Sequence, residues 1–387
     1  MKVLICTDSF KGTFSSRSAG ELIKDVFNAS GFTCEVIPVA DGGEGTVEAI
    51  AYSTKAKLIK VESVDVFGRE IESEVALNGS TAILEAASCI GITQLKQSEL
   101  NPLRASSAGL GMLINKVIAR NCRNLIIGIG GTATNDIGLG MLGELGFKIC
   151  DKNGDQLKPY FDYGYTASDL GFVSDIVPRT ETDLISIKVL SDVKNPLTGE
   201  HGATFVYGSQ KGASQTVINI LDHELSRISK CLNEKYSYKD NFPGAGAAGG
   251  LGYAFKNFLN AEIISGIEGV MKLIGLKDKL ANSDIVIVGE GSMDKQSAYG
   301  KAPVGISKLA KNLGKTVYAI TGVATQDAVS VFDKGIDAIF SAFKLENKPD
   351  SNELKNFAGK YLRATTKLLV EYMNSNIDFE NRIIYLK

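Results

Sequence analysis

DIVIVGEGSMDKQSAYGKAP, residues 284–303, decides how the rest of the chain is read. Ile285 to Val288 are apolar and β-branched, the composition of a parallel strand covered on both faces, and Gly289 and Gly291 let the backbone turn sharply after it. Glu290, Asp294 and Lys301 follow in the polar loop. Pro303 is placed to open a helix, with Val304, Ile306, Leu309, Ala310 and Leu313 at helical spacing and Gly314 suited to its C-terminal cap.

Two segments near the other end of the chain have the same grammar. MKVLICTDSFKGT, residues 1–13, predicts a strand over Val3 to Cys6 with Asp8, Ser9 and Lys11 at its carboxyl end, then a helix marked by Ala19, Leu22, Ile23, Val26 and Phe27. CEVIPVADGGEGT, residues 34–46, ends a strand in Asp41, Gly42, Gly43 and Glu44 and enters a short helix near Thr46. Carboxylates and glycines are thereby expected on one edge of one sheet.

The bulk properties narrow the function classes. A chain of 387 residues is long enough for two or three domains. Forty-two Lys and Arg against 44 Asp and Glu, for a net charge of -2, leave no basic excess to neutralise the phosphates of a nucleic acid. An aspartate at position 8 interrupts any signal-like apolar core, and no long uncharged apolar run could span a membrane, so a cytoplasmic protein is expected. Six cysteines without a C-x-x-C pair, and two histidines, assemble no zinc pattern.

Strands alternate with helices over residues 1–58 and again over 281–387, whereas the texture between them differs. Residues 58–84 alternate apolar and polar, and Asn78-Gly79 is a strong hairpin signal. The expected fold is therefore α/β. A flavodoxin-like doubly wound parallel sheet of order 2-1-3-4-5 is built from both chain ends, and residues 59–280 form an inserted α+β domain. In open sheets of this kind ligands lie at the carboxyl ends of the strands, where the connections reverse direction. Asp8 and Lys11 would face Glu290, Asp294 and Lys301 there, in a cleft roofed by the second domain.

Several carboxylates, a few lysines, many glycines and almost no histidine suit magnesium and a phosphorylated substrate better than a hydrolase triad. Magnesium takes oxygen ligands, lysine acts as a point charge on phosphate, and phosphoryl transfer needs mainly positioning and charge neutralisation. The rival is dinucleotide binding. Gly128-x-Gly130-x-x-Ala133 follows a plausible strand and precedes Asp151, but Asn135 and Asp136 put a carboxylate where a pyrophosphate would bind. Gly244-x-Gly246-x-x-Gly249 follows Pro243 instead of a strand and reads as a flexible loop, and a P-loop is missing from the sequence.

DSFKGT, PVADGGEGT, GGTATNDIGLGMLGELG, SDVKNPLTGEHGA, SQKGA, PGAGAAGGLG and GEGSMDKQSAYGKAP, in that order, resemble the bacterial glycerate kinase family of the glycerate 2-kinase type. The resemblance runs from the first strand to about residue 310. It implies a flavodoxin-like domain with an α/β insertion, a magnesium requirement, and transfer of the ATP γ-phosphate to D-glycerate, giving 2-phosphoglycerate ahead of 3-phosphoglycerate. Two positions depart from the family pattern: Ser292 stands where arginine is common, and Ser209 where proline is common.

Asp192, at the end of the strand-like LSDV before Asn195-Pro196, is the first candidate for general base, with Asp294 competing; both are also candidate magnesium ligands. Lys11, Lys211 and Lys301 are candidates to steady phosphate oxygens. Asp8, Ser9, Asp41, Gly42, Gly43, Gly130, Gly131, Thr134, Asn135, Asp136, Asn195 and Glu290 complete the expected binding set. Asp8, Asp41 and one of Asn135 and Asp136 suit helix caps equally well. His201 reads as a structural loop residue, and Arg69 and Arg104 are equal candidates for a substrate carboxylate. The alternatives to a kinase are an NAD(P)-dependent dehydrogenase of a small hydroxy acid and a non-catalytic nucleotide-binding protein. Oligomeric state is left open, a homodimer included.

Overall fold

The computed structural model describes residues 1–178, 185–239, 242–299, 301–375 and 382–386, so Gly300 of the 284–303 motif lies outside the described residues. The chain divides into two compact units. A terminal unit comprises Met1–Asp41, Glu48–Lys55 and Ile267–Lys387, and a central unit comprises Gly42–Val47 and Ala56–Gly266.

In the terminal unit the strands run parallel in the order Thr33–Val36, Lys2–Thr7, Ile285–Met293, Thr316–Ala324, Ala338–Lys344, Ile383–Tyr385. Val3 lies opposite Ile285, and Thr7 opposite Gly289. Both strands are continuous apolar runs because helices cover both faces, and Val3, Leu4, Ile5, Val286, Ile287 and Val288 are fully buried. Helix Ser16–Ala29 turns Ala19, Ile23, Val26 and Phe27 into this core and starts at Ser15, whose Oγ accepts from the Ser18 N–H. Helix Ser351–Asn374 starts at Asp350, which accepts from the Asn352 and Glu353 N–H groups. The sixth strand, Ile383–Tyr385, was not among the five expected from sequence.

The sheet of the central unit is mixed, in the order Glu262–Ile264, Ser186–Leu190, Asn124–Gly128, Thr81–Glu85, Glu70–Asn78, Lys57–Val64. Its last three members are the expected antiparallel meander, with Asn78 opposite Thr81 across a turn in which Gly79 has φ +59°. The other three run parallel to one another and to Thr81–Glu85, with crossovers such as helix Ala108–Ile118 between them. The expected α+β insertion is thus half parallel. The chain as a whole is mixed α/β, with parallel strands and helices in both units.

The boundaries differ from the sequence expectation at two places. One helix through Ile267, Val270, Met271, Ile274 and Leu276 was expected to close the inserted domain; there are two, Gly266–Leu273 and Leu276–Ala281, and from Ile267 onward they belong to the terminal unit. Packing explains this, since a Cβ at Gly305 would lie 2.8 Å from Ile267 Cγ1. Conversely, Gly42–Val47 belongs to the central unit, where a Cβ at Gly128 would lie 2.5 Å from the Gly42 carbonyl oxygen and one at Gly130 2.9 Å from Gly43 Cα. Only glycine permits backbones to approach so closely.

Candidate active site

At the carboxyl edge of the terminal sheet, the Asp8 N–H donates to the Gly289 carbonyl at 2.8 Å and the Ser9 N–H donates to Asp8 Oδ1 at 2.7 Å. A Cβ at Gly291 would lie 3.3 Å from Phe10 Cα and 3.4 Å from the Lys11 nitrogen, so the DSFKG and GEGSMD loops touch through backbone. Glu290 is 5% exposed; its Oε2 pairs with Lys301 Nζ at 3.2 Å and its Oε1 has no hydrogen-bond partner. Lys301 Nζ also reaches Ser297 Oγ at 3.3 Å. Asp294 Oδ1 accepts from the Ser297 N–H at 3.1 Å, which starts the short helix Lys295–Tyr299. Lys11 is exposed.

Charge on this edge is coupled. Burial, then Asp41 and more weakly Glu290, push the Asp8 carboxyl up to about 7, against the Ser9 N–H and Lys11. Burial likewise raises Glu290, opposed by Lys301 and Ser297 and reinforced by Asp294. Among the described residues no three acidic, cysteine or histidine side chains form a ready metal cage. Magnesium keeps several waters and takes only one or two carboxylates beside substrate phosphates, so these oxygens and the orphaned Glu290 Oε1 fit that mode of binding.

At the carboxyl edge of the central sheet, the loop after strand Asn124–Gly128 carries a cluster of under-satisfied polar atoms. Thr132 Oγ1, Thr134 Oγ1 and Asn135 Oδ1 are buried without a hydrogen-bond partner, while Asn135 Nδ2 donates to Thr204 Oγ1 at 2.8 Å. Lys211, 3% exposed, donates to the Thr134 carbonyl at 2.6 Å, and burial pulls its ammonium down to about 8 despite the nearby Asp136. Asp136 itself is fully buried and accepts from the Ser107 N–H and hydroxyl and from the Gly138 and Gly140 N–H groups. It is a local pin.

Asp192 Oδ1 accepts from Ser265 Oγ at 2.7 Å and from the Gly266 N–H at 2.9 Å. Asn195 is tied to its own loop, donating to the carbonyl of the exposed His201 at 2.8 Å and accepting from the Tyr207 hydroxyl at 2.9 Å. Arg69 and Arg104 now separate: Arg69 binds Asp65 and Glu99, whereas the Arg104 guanidinium lies 5.8 and 5.4 Å from the Phe67 and Phe161 ring centroids. Glu85, which the sequence did not single out, accepts from the Gly45 and Val47 N–H groups.

The sequence profile described as the glycerate kinase family matches residues 3–374. The chain belongs to the glycerate kinase family. Glycerate 2-kinase of Escherichia coli K12 is 38% identical over 354 residues, covering 88% of this chain and 90% of that one. Glycerate kinase of Bacillus subtilis 168 is 35% identical over 347 residues, with the same coverage, 88% and 90%. A crystal structure from Salmonella typhimurium LT2, provisionally named glycerate kinase 2, superposes with a TM-score of 0.79 at 32% identity, covering 97% of this chain and 98% of that one. By membership this chain is an enzyme of the kinase class.

Two features separate this glycerate kinase family member from a dinucleotide-binding protein. Helix Leu139–Glu144, which follows the Gly128-x-Gly130-x-x-Ala133 match, is only six residues long, and the N–H groups at its start already bind the Asp136 carboxylate. The two departures from the family pattern, Ser292 and Ser209, are both exposed, and Ser209 opens the short helix Ser209–Lys211 that delivers Lys211 to the interior.

Proposed function

We propose that the enzyme transfers the γ-phosphoryl group of ATP to D-glycerate, giving 2-phosphoglycerate and ADP. The observation that carries this reading is similarity to proteins named glycerate kinase along almost the whole chain. The chemistry of both edges agrees with it. Asp192, its Oδ1 held by Ser265 and Gly266, serves as general base toward the acceptor hydroxyl. Lys11 and Lys301 meet phosphate oxygens as point charges, with Ser9 beside them. Lys211, Thr134 and Asn135 bring a buried ammonium and unpaired oxygens suited to a hydroxy acid, on a loop shaped by Gly130, Gly131 and Asp136.

Magnesium, when bound, would neutralise charge on the transferring group, and Asp294, close to Glu290, and Asp192 would supply oxygens to hold it. A flavodoxin-like description of the terminal sheet and a cytoplasmic location belong to the same proposal. No helix among the described residues is long and apolar enough to cross a membrane. ADP release assayed over a panel of short hydroxy acids tests the reading: glycerate should give the highest kcat/KM, and turnover independent of every hydroxy acid would refute it.

A further inference from the structure

Glu85 ends strand Thr81–Glu85 and is 7% exposed. Its two carboxylate oxygens reach the Gly42–Val47 segment, which the central unit holds although its neighbours in sequence on both sides belong to the terminal unit. Oε2 accepts from the Gly45 N–H at 3.2 Å and Oε1 from the Val47 N–H. These are N–H groups at the start of helix Thr46–Thr54, where the first backbone donors lack partners within the helix. An internal carboxylate therefore occupies the place where a glycine-rich loop before a helix would otherwise hold phosphate.

The same segment is gripped from other directions. The Gly130 N–H donates to the Gly42 carbonyl at 3.2 Å, Thr46 Oγ1 donates to the Gly43 carbonyl at 2.7 Å, and Gly42 stands at φ +91°. Glycines 42 and 43 meet glycines 128 and 130 backbone to backbone, at distances that leave no room for a Cβ. A loop so seated has one position relative to the 130–135 loop beside it.

We propose that Glu85 is a positioning residue for phosphoryl transfer: it fixes the Gly42–Val47 loop in register with the loop that carries Thr134 and Asn135. The loop then works through placed backbone, not through an open helix N-terminus. This rests on the reaction proposed above. Glu85→Gln keeps shape but turns one acceptor into a donor facing an N–H group, so one of the two bonds is lost.

The test combines hydrogen exchange of the 42–50 region with steady-state kinetics on ATP, magnesium and glycerate, using the full chain. Faster exchange confined to that region, with cooperative unfolding retained and kcat lowered about 10- to 100-fold with little change in KM, is expected, because small misplacements of this kind act on the transition state. Unchanged exchange, or loosened exchange with unaltered kcat, would overturn the proposal. If the variant does not fold, Glu85→Asp, which keeps the charge but draws the carboxylate back from the Gly45 and Val47 N–H groups, is measured in the same two ways, and the same outcomes support or overturn the proposal. A wild-type enzyme inactive on glycerate would instead count against the reaction, and the exchange result would still decide whether Glu85 anchors the loop.

Discussion

The Asp8 N–H donates to the Gly289 carbonyl at 2.8 Å, joining residues from opposite ends of the sequence at the carboxyl edge of one sheet. That bond brings Asp8 close enough to Asp41 and Glu290 for their charges to oppose its ionisation. The folded carboxyl holds its proton up to about 7, whereas the unfolded one releases it near 3.8. The folded state therefore binds more protons in that window, and stability falls as pH rises through it. Asp8→Asn removes this loss, so its Tm relative to wild type should climb between pH 4 and pH 8. A difference that stays constant with pH would contradict the assignment.

Lys211 gives the opposite slope. Folded, it releases its proton near 8; unfolded, near 10.5. Stability should thus rise from pH 8 to pH 10.5, and Lys211→Met should lose that rise. Activity should move the other way, declining in wild type above pH 8 as the buried ammonium is lost. Chemical denaturation and kcat/KM over the same pH series check both signs, and parallel wild-type and variant stability profiles would discard the first.

Lys301→Met strands the buried Glu290 carboxylate, whose Oε1 already has no partner. Removing one member of a fully buried pair costs about 3–5 kcal/mol, but the Lys301 side chain is 36% exposed, so about 1–3 kcal/mol is expected. Adding Glu290→Gln should recover part of it. Urea unfolding of the two variants measures this, and additive losses in the double variant would contradict the pairing.

Asp192→Asn keeps an oxygen that can accept from Ser265 and Gly266 while removing basicity. The expected result is a normally folded protein with kcat lowered by about 10²- to 10⁴-fold, the range that loss of a general base produces. Near-normal turnover would remove Asp192 from the chemistry.

The strands Lys2–Thr7 and Ile285–Met293 were legible because burial on both faces writes an unbroken apolar run, and the helices because their apolar positions recur at three- and four-residue steps. Glu262–Ile264 and Ile383–Tyr385 were not, since three residues carry no period. The choice between Arg69 and Arg104 also stayed open. The sequence does not announce that Glu99, thirty residues from Arg69, folds back to meet it. Glu85 was invisible for the same reason: within TAILEAA it reads as an ordinary strand terminus, and its meaning lies forty residues upstream at Gly45. Asp136, expected either to cap the following helix or to reach a ligand, accepts from the Gly138 and Gly140 N–H groups and from Ser107, twenty-nine residues upstream, a partner that the sequence did not announce.

Phosphorus NMR of the enzyme with ATP, magnesium and D-glycerate tests the central claim most directly. Glycerate-dependent loss of the ATP γ resonance, with ADP and a phosphomonoester whose phosphorus couples to the C2 proton, is the predicted result. ADP and inorganic phosphate alone, or an unchanged ATP spectrum, would contradict it.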